Sequence, residues 1–204
     1  MKSLLLAAAA LAALSQSALA ATPQLSGLLA DIFASDDMPD STAAKSLYNA
    51  LTFGDKVFTL EQSKLADVTA AYGGTFVALP DDPNPQHGWM CFDGAGTRTW
   101  FFSAEVDKTG APVVNLVVTE TLPAKALDSG CTSGIAIGLT DAGVPGLGAT
   151  LADLEARFGA AKPDATGHLS YFLDGGDPAV QNLFYLVNDG HVTAVAFSQW
   201  SDTP

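Results

Sequence analysis

Three histidines and two cysteines are the residues of this 204-residue chain best suited to chemistry, and their spacing argues against it. His87, His168 and His191 lie far apart, with no HExxH or other metal-ligand spacing among them. His87 falls in a proline loop, His191 in a hairpin turn and His168 at a strand start, so all three read as solvated. Ser133 lacks the G-x-S-x-G context of a nucleophile elbow. The glycines of 143–148 precede a helix without the Lys and spacing of a phosphate loop. The pairs Asp81/Asp82 and Asp174/Asp177 sit in turns, where Asp serves backbone hydrogen bonds. Asp36, Asp37 and Asp40 lack the Gly and bidentate Glu of a calcium loop. Nucleophile, base and orienting group do not come together. The sequence therefore reads as a non-enzyme, with no cofactor and no metal.

Cys91 and Cys131 are 40 positions apart with no CxxC pattern. In an oxidising compartment such a lone pair forms one disulfide. The N-terminus points to that compartment. Lys2, the apolar run Leu4–Leu14 and Ala18-Leu19-Ala20 have the three parts of a cleavable signal peptide over 1–20. That run is too short to span a bilayer, so no membrane insertion is expected, and the localisation reads as periplasmic or secreted. Cleavage would leave 8 basic residues against 22 acidic ones. Such a balance repels nucleic acid and anionic membranes.

The elements that would position any site come from a repeat. Leu65-Ala66-Asp67-Val68-Thr69-Ala70-Ala71-Tyr72-Gly73 returns as Leu151-Ala152-Asp153-Leu154-Glu155-Ala156-Arg157-Phe158-Gly159. Apolar residues at i, i+3 and i+7 make each copy a short helix closed by Gly. Thr59 with Gln62 predicts a start near 60 for the first helix, and Thr150 with Asp153 caps the second. Strands are predicted after each: 88–93, 97–106 and 112–121, then 167–173, 181–188 and 191–199, with Asn188-Asp189-Gly190-His191 as a hairpin turn. Residues 21–55 read as a helical extension, with Leu25, Leu28, Leu29 and Ile32 on one face and a second helix from Ser41 to about Leu51. The domain reading is 21–55 extension, 56–122 first αβ repeat, 123–146 linker and 147–204 second αβ repeat. The fold class is α+β: two tandem helix-plus-antiparallel-sheet units, helices on one face.

Gly148-Ala149-Thr150 opening the second helix, Phe158-Gly159 closing it, the Tyr/Phe-rich hairpin ending in Asp189-Gly190 and the terminal Trp200 resemble the β-lactamase-inhibitor-protein family. They are similar also to the related outer-membrane-assembly lipoprotein modules (SmpA/OmlA, BamE-like). The resemblance covers roughly residues 56–200 and is stronger in the second copy. It implies a surface that binds another protein, as an inhibitor or an envelope-associated interaction protein. An envelope-assembly accessory is the alternative, with a small periplasmic hydrolase or ligand carrier behind it.

Strand alternation nominates the surface. In the first hairpin, Trp100, Phe102, Ala104, Val106, Val114, Leu116 and Val118 fall on one face, expected under the helices. In the second, Leu183, Tyr185, Val187, Val192, Ala194 and Ala196 join them. The opposite face carries Phe101, Val117, Phe184, Val195 and Phe197, expected to be uncovered and to take the partner.

Overall fold

Period-two alternation of apolar residues, more than helix periodicity, builds this molecule. The structure is a computed structural model and describes residues 23–34, 40–42, 47–48, 50–122, 130–160, 162–174 and 179–201. In chain order the elements are α1 (Gly27–Ala34), β1 (Asp40–Thr42), β2 (Leu51–Phe53), β3 (Lys56–Phe58), α2 (Leu65–Tyr72), β4 (Val77–Ala78), β5 (Gly88–Gly94) and β6 (Thr97–Ser103). They continue as β7 (Glu105–Val106), β8 (Pro112–Val113), β9 (Leu116–Thr121), β10 (Thr132–Ser133) and β11 (Leu139–Asp141). The last are α3 (Leu151–Phe158), β12 (His168–Asp174), β13 (Ala179–Asn188) and β14 (His191–Ser201).

The expectation of two tandem helix-plus-sheet units is overturned. One nine-stranded sheet runs through both copies in the order β1-β12-β13-β14-β9-β6-β5-β10, with β4 also on β5. The join is antiparallel pairing of β14 with β9, which sets Phe197 opposite Val117 and Ala196 opposite Val118. The three described helices have eight residues each, so strand dominates. The physical reason is edge pairing. Each short meander would leave an edge strand bare, and β9 and β14 satisfy each other's backbone groups instead.

Both faces of the sheet carry packed elements, one fully and the other in part. On one, α2, α3 and a small three-stranded sheet (β11-β2-β3) bury Phe53, Phe58, Leu65, Val68 and Leu154 against Phe92, Phe101, Val117, Tyr185, Val195 and Phe197. On the other, Leu28 and Leu29 of α1 are fully buried against Trp100, Phe102, Leu116, Val118, Ala194 and Ala196. The helices are thus split between faces.

Locally, the helix of the second repeat starts as predicted: Thr150 caps α3, its amide donating to Asp153 Oδ2 at 2.7 Å while its Oγ accepts from the Asp153 amide at 3.3 Å. The first copy starts later than Thr59. Lys64 is the N-cap of α2, its amide donating to Asp67 Oδ2 at 2.8 Å, and residues 60–63 form a turn in which Ser63 bonds back to Thr59. The helix expected from Ser41 to Leu51 is also corrected. Ser41 lies in β1, which pairs in parallel with β12, and Leu51 opens β2. The stretch 123–146 contributes β10 to the main sheet and β11 to the small one. The Cys91–Cys131 disulfide is present, with the Cα atoms 4.6 Å apart, and it ties residue 131 to β5 beside β10. The predicted signal peptide, residues 1–20, lies outside the described residues.

Candidate functional site

The register lays residues of one sheet face in cross-strand rows. Arg98, Glu120, Ala194, Leu186 and His168 form one row, and Trp100, Val118, Ala196, Phe184 and Ser170 the next. Phe102, Leu116, Ser198, Asn182 and Phe172 form a third. α1 lies over the middle of these rows, on β9 and β14. Its seat is polar at both flanks. Glu120, only 5% exposed, accepts the Leu28 amide on Oε2 at 3.3 Å and the Trp100 indole on Oε1 at 3.1 Å. Burial pushes the Glu120 carboxyl up, against the smaller pull of those two hydrogen bonds and of Arg98. Arg98, buried in the same row, makes a bidentate pair with Asp93 at 2.7 Å through each nitrogen and donates to Ser26 Oγ at 2.9 Å. Its guanidinium stands 5.4 Å from the Trp100 ring centre.

Gly27 is required where α1 begins. Its φ is +61°, and a Cβ there would lie 1.9 Å from Glu120 Oε2. Across the sheet, His168 Nε2 pairs with Asp31 of α1 at 3.2 Å, and its Nδ1 bonds Thr166 Oγ at 2.7 Å. His168 was expected to be a solvated strand end; it is instead a mostly buried tether for the helix. His87 is likewise held, between Asp82 Oδ2 at 3.0 Å and Asn84 at 2.9 Å. His191 remains exposed.

One eight-residue helix, about 12 Å long and 10 Å wide, cannot cover a face roughly 35 Å across. On the β12–β13 side and at the end of β14, Phe172, Asn182, Phe184, Leu186 and Trp200 stay part-exposed. Phe33, at the end of α1, is 48% exposed with its ring 4.9 Å from that of Phe102. Ser198 sits among them, its Oγ accepting from Trp200 Nε1 at 3.2 Å and Asn182 Nδ2 at 3.4 Å. Rings and amides of this kind support binding by contact. No group of three or more potential metal ligands occurs among the described residues, and no described helix is long and apolar enough to cross a membrane.

The five residues nominated from the sequence divide four to one. Phe101, Val117, Val195 and Phe197 have no exposure at all and belong to the core beneath α2 and α3. The face expected to be open around them is closed. Only Phe184 lies on the α1 side with part of its ring in solvent. The cause in the second hairpin is a bulge. Asn188 pairs with His191 and Val187 with Val192, but Leu186 then pairs with Ala194, leaving Thr193 extra. Beyond it Ala194 and Ala196 face α1, whereas Val195 and Phe197 join Leu183 and Tyr185. In the first hairpin the pairings Phe102–Leu116 and Val106–Pro112 hold as predicted, but Trp100, Phe102, Leu116 and Val118 pack under α1, Val114 joins Phe101 in the core under α2 and α3, and Val106 is exposed. Sequence reasoning missed Phe33 and Phe172. Alternation from Ser170 places Phe172 beside Phe184 once the register of β12 is known, and that register was the lacking signal.

No family model, no curated protein and no solved structure matches this chain.

Proposed function

We propose that this is an exported protein-binding module that receives its partner on the α1 side of the sheet, at Phe33, Phe172, Phe184 and Trp200. The observation carrying this reading is the set of rings left beside a single short helix, with Phe33 48% exposed and Phe172, Phe184 and Trp200 part-exposed. Aromatic rings with polar neighbours are enriched at contact surfaces. The partner is a folded protein of neutral or basic surface, because a chain of net charge −13 repels anionic polymers. Export is supported by the disulfide, which persists in oxidising compartments. An inhibitor or an envelope-associated interaction protein fits this description.

The experiment is capture from the exported fraction of the source cells, comparing wild type with a Phe33→Ser/Phe184→Ser double variant that still unfolds in one cooperative thermal transition well above the capture temperature. The wild type is expected to retain a defined protein that the variant loses. Equal retention by both, or retention of nothing, overturns the reading. The intact mass of the exported protein checks cleavage after Ala20.

A further inference from the structure

On the face opposite α1, the chain near β2, the end of β11 and the end of α3 enclose a cleft of about 360 Å³. That is the small end of the roughly 300–1,000 Å³ range of ligand pockets, so it suits a small molecule and not a protein segment. Its lining is mixed: Leu47, Ala50 and Ala142 are the apolar members, with Leu47 and Ala142 largely buried, and Tyr48 and Thr52 stand beside them. Two opposite charges, Asp141 and Arg157, stand at its rim without pairing.

Both charges are attached to the same glycine. The Gly143 amide donates to Asp141 Oδ1 at 2.8 Å, and Arg157 Nε donates to the Gly143 carbonyl at 3.5 Å. Asp141 Oδ2 and the two terminal nitrogens of Arg157 have no partner among the described residues. The chain has two arginines, and the other is spent on Asp93. Arg157 is also held in orientation, its guanidinium 4.9 Å from the Phe158 ring centre, with that ring 4.2 Å from Tyr171. Stacking leaves the outer edge of the fork free for a carboxylate.

We infer that this cleft binds a zwitterion of the α-amino-acid class with an apolar side chain. The carboxylate takes the free edge of Arg157, the ammonium takes Asp141 Oδ2, and the side chain lies against Leu47, Ala50 and Ala142. A simple carboxylate is disfavoured by Asp141 and by the acidic chain as a whole. A simple amine is disfavoured by Arg157. A zwitterion complements both charges at once, which gives selectivity over either half.

The test is a nitrogen-15 NMR titration of the full mature protein with L-leucine, L-leucinamide and 4-methylpentanoate, following the amides of Ala50, Ala142 and Gly143. L-Leucine is expected to shift them saturably with a Kd on the order of 1 mM, and each singly charged analogue to bind at least tenfold more weakly. Arg157→Gln and Asp141→Asn should each weaken L-leucine tenfold or more with the rest of the spectrum unchanged, while Lys108→Gln leaves it as in wild type. The inference is overturned by absence of saturable shifts in the wild type, by equal binding of either analogue, or by undiminished binding to Arg157→Gln. It stands apart from partner capture, which concerns the other face.

Discussion

Phe101→Ala is the substitution that most sharply separates a covered sheet face from an open one. The Phe101 ring lies 5.3 Å from Phe53, 5.2 Å from Phe58, 6.2 Å from Phe92 and 6.4 Å from Tyr72, centre to centre. The residue has no exposure, and its strand is central, paired on both sides. Truncation removes the transfer free energy of the ring and leaves a void lined by residues fixed on four different elements. Collapse of that void is resisted, so the cost belongs near the top of the about 3–5 kcal/mol range for Phe→Ala in a core. For a domain of this size each kcal/mol moves the melting temperature by roughly 2–4 °C, so a fall of roughly 8–20 °C is expected. Urea unfolding should show a lower midpoint at unchanged slope. Phe184→Ala, with its ring part-exposed, is the control and should cost under about 1.5 kcal/mol. If the two variants unfold at the same midpoint, Phe101 is not enclosed and the assignment of the α2–α3 face is wrong.

Three further outcomes follow from the α1 seat and the sheet edge. Gly27→Ala should destabilise by about 1–3 kcal/mol through strain and collision with Glu120, whereas Gly54→Ala, at a similar φ of +63° but with open space around it, should cost less; equal melting temperatures would refute the steric seat. Glu120 has its folded carboxyl pushed up by burial, so the neutral form favours the fold: the stability this contributes is present below the unfolded value and is lost as pH rises through the folded one. Glu120→Gln should therefore gain on wild type as pH rises from about 4.3, the free Glu value, before levelling off; urea midpoints that differ by a constant amount from pH 4 to 8, or that converge on raising pH, would contradict this. Replacing both Cys91 and Cys131 by Ser opens a loop of 40 residues and should remove up to about 4 kcal/mol, and denaturant midpoints with and without reductant measure it; a loss under about 1 kcal/mol would mean that the bond constrains little.

Much of the local structure was legible because it depends on near neighbours. The capping box of Thr150 and Asp153, the Gly after each repeat helix and the Asp189-Gly190 turn are decided by backbone donors a few residues away. The strand spans and the Phe102–Leu116 pairing followed from alternation and loop length. The apolar stripe of Leu28, Leu29 and Ile32 on α1, with Leu25 just before it, was visible for the same reason. Lys64 in place of a capping Ser or Thr hid the true start of α2, because its amide, and not a side-chain oxygen, makes the bond to Asp67.

The sequence by itself determined which residues alternate along each strand, where turns bend the chain and that two cysteines pair. Only the tertiary structure decided that β9 and β14 zip the two repeats into one sheet, that α1 takes one face while α2 and α3 take the other, and that Thr193 bulges. Faces are assigned by partners more than a hundred positions distant, such as Asp31 for His168 and Leu28 for Ala194. An alternating strand is equally apolar-compatible on either side once both sides are covered. A single extra residue at Thr193 then reverses every side chain beyond it, because the period along a strand is two.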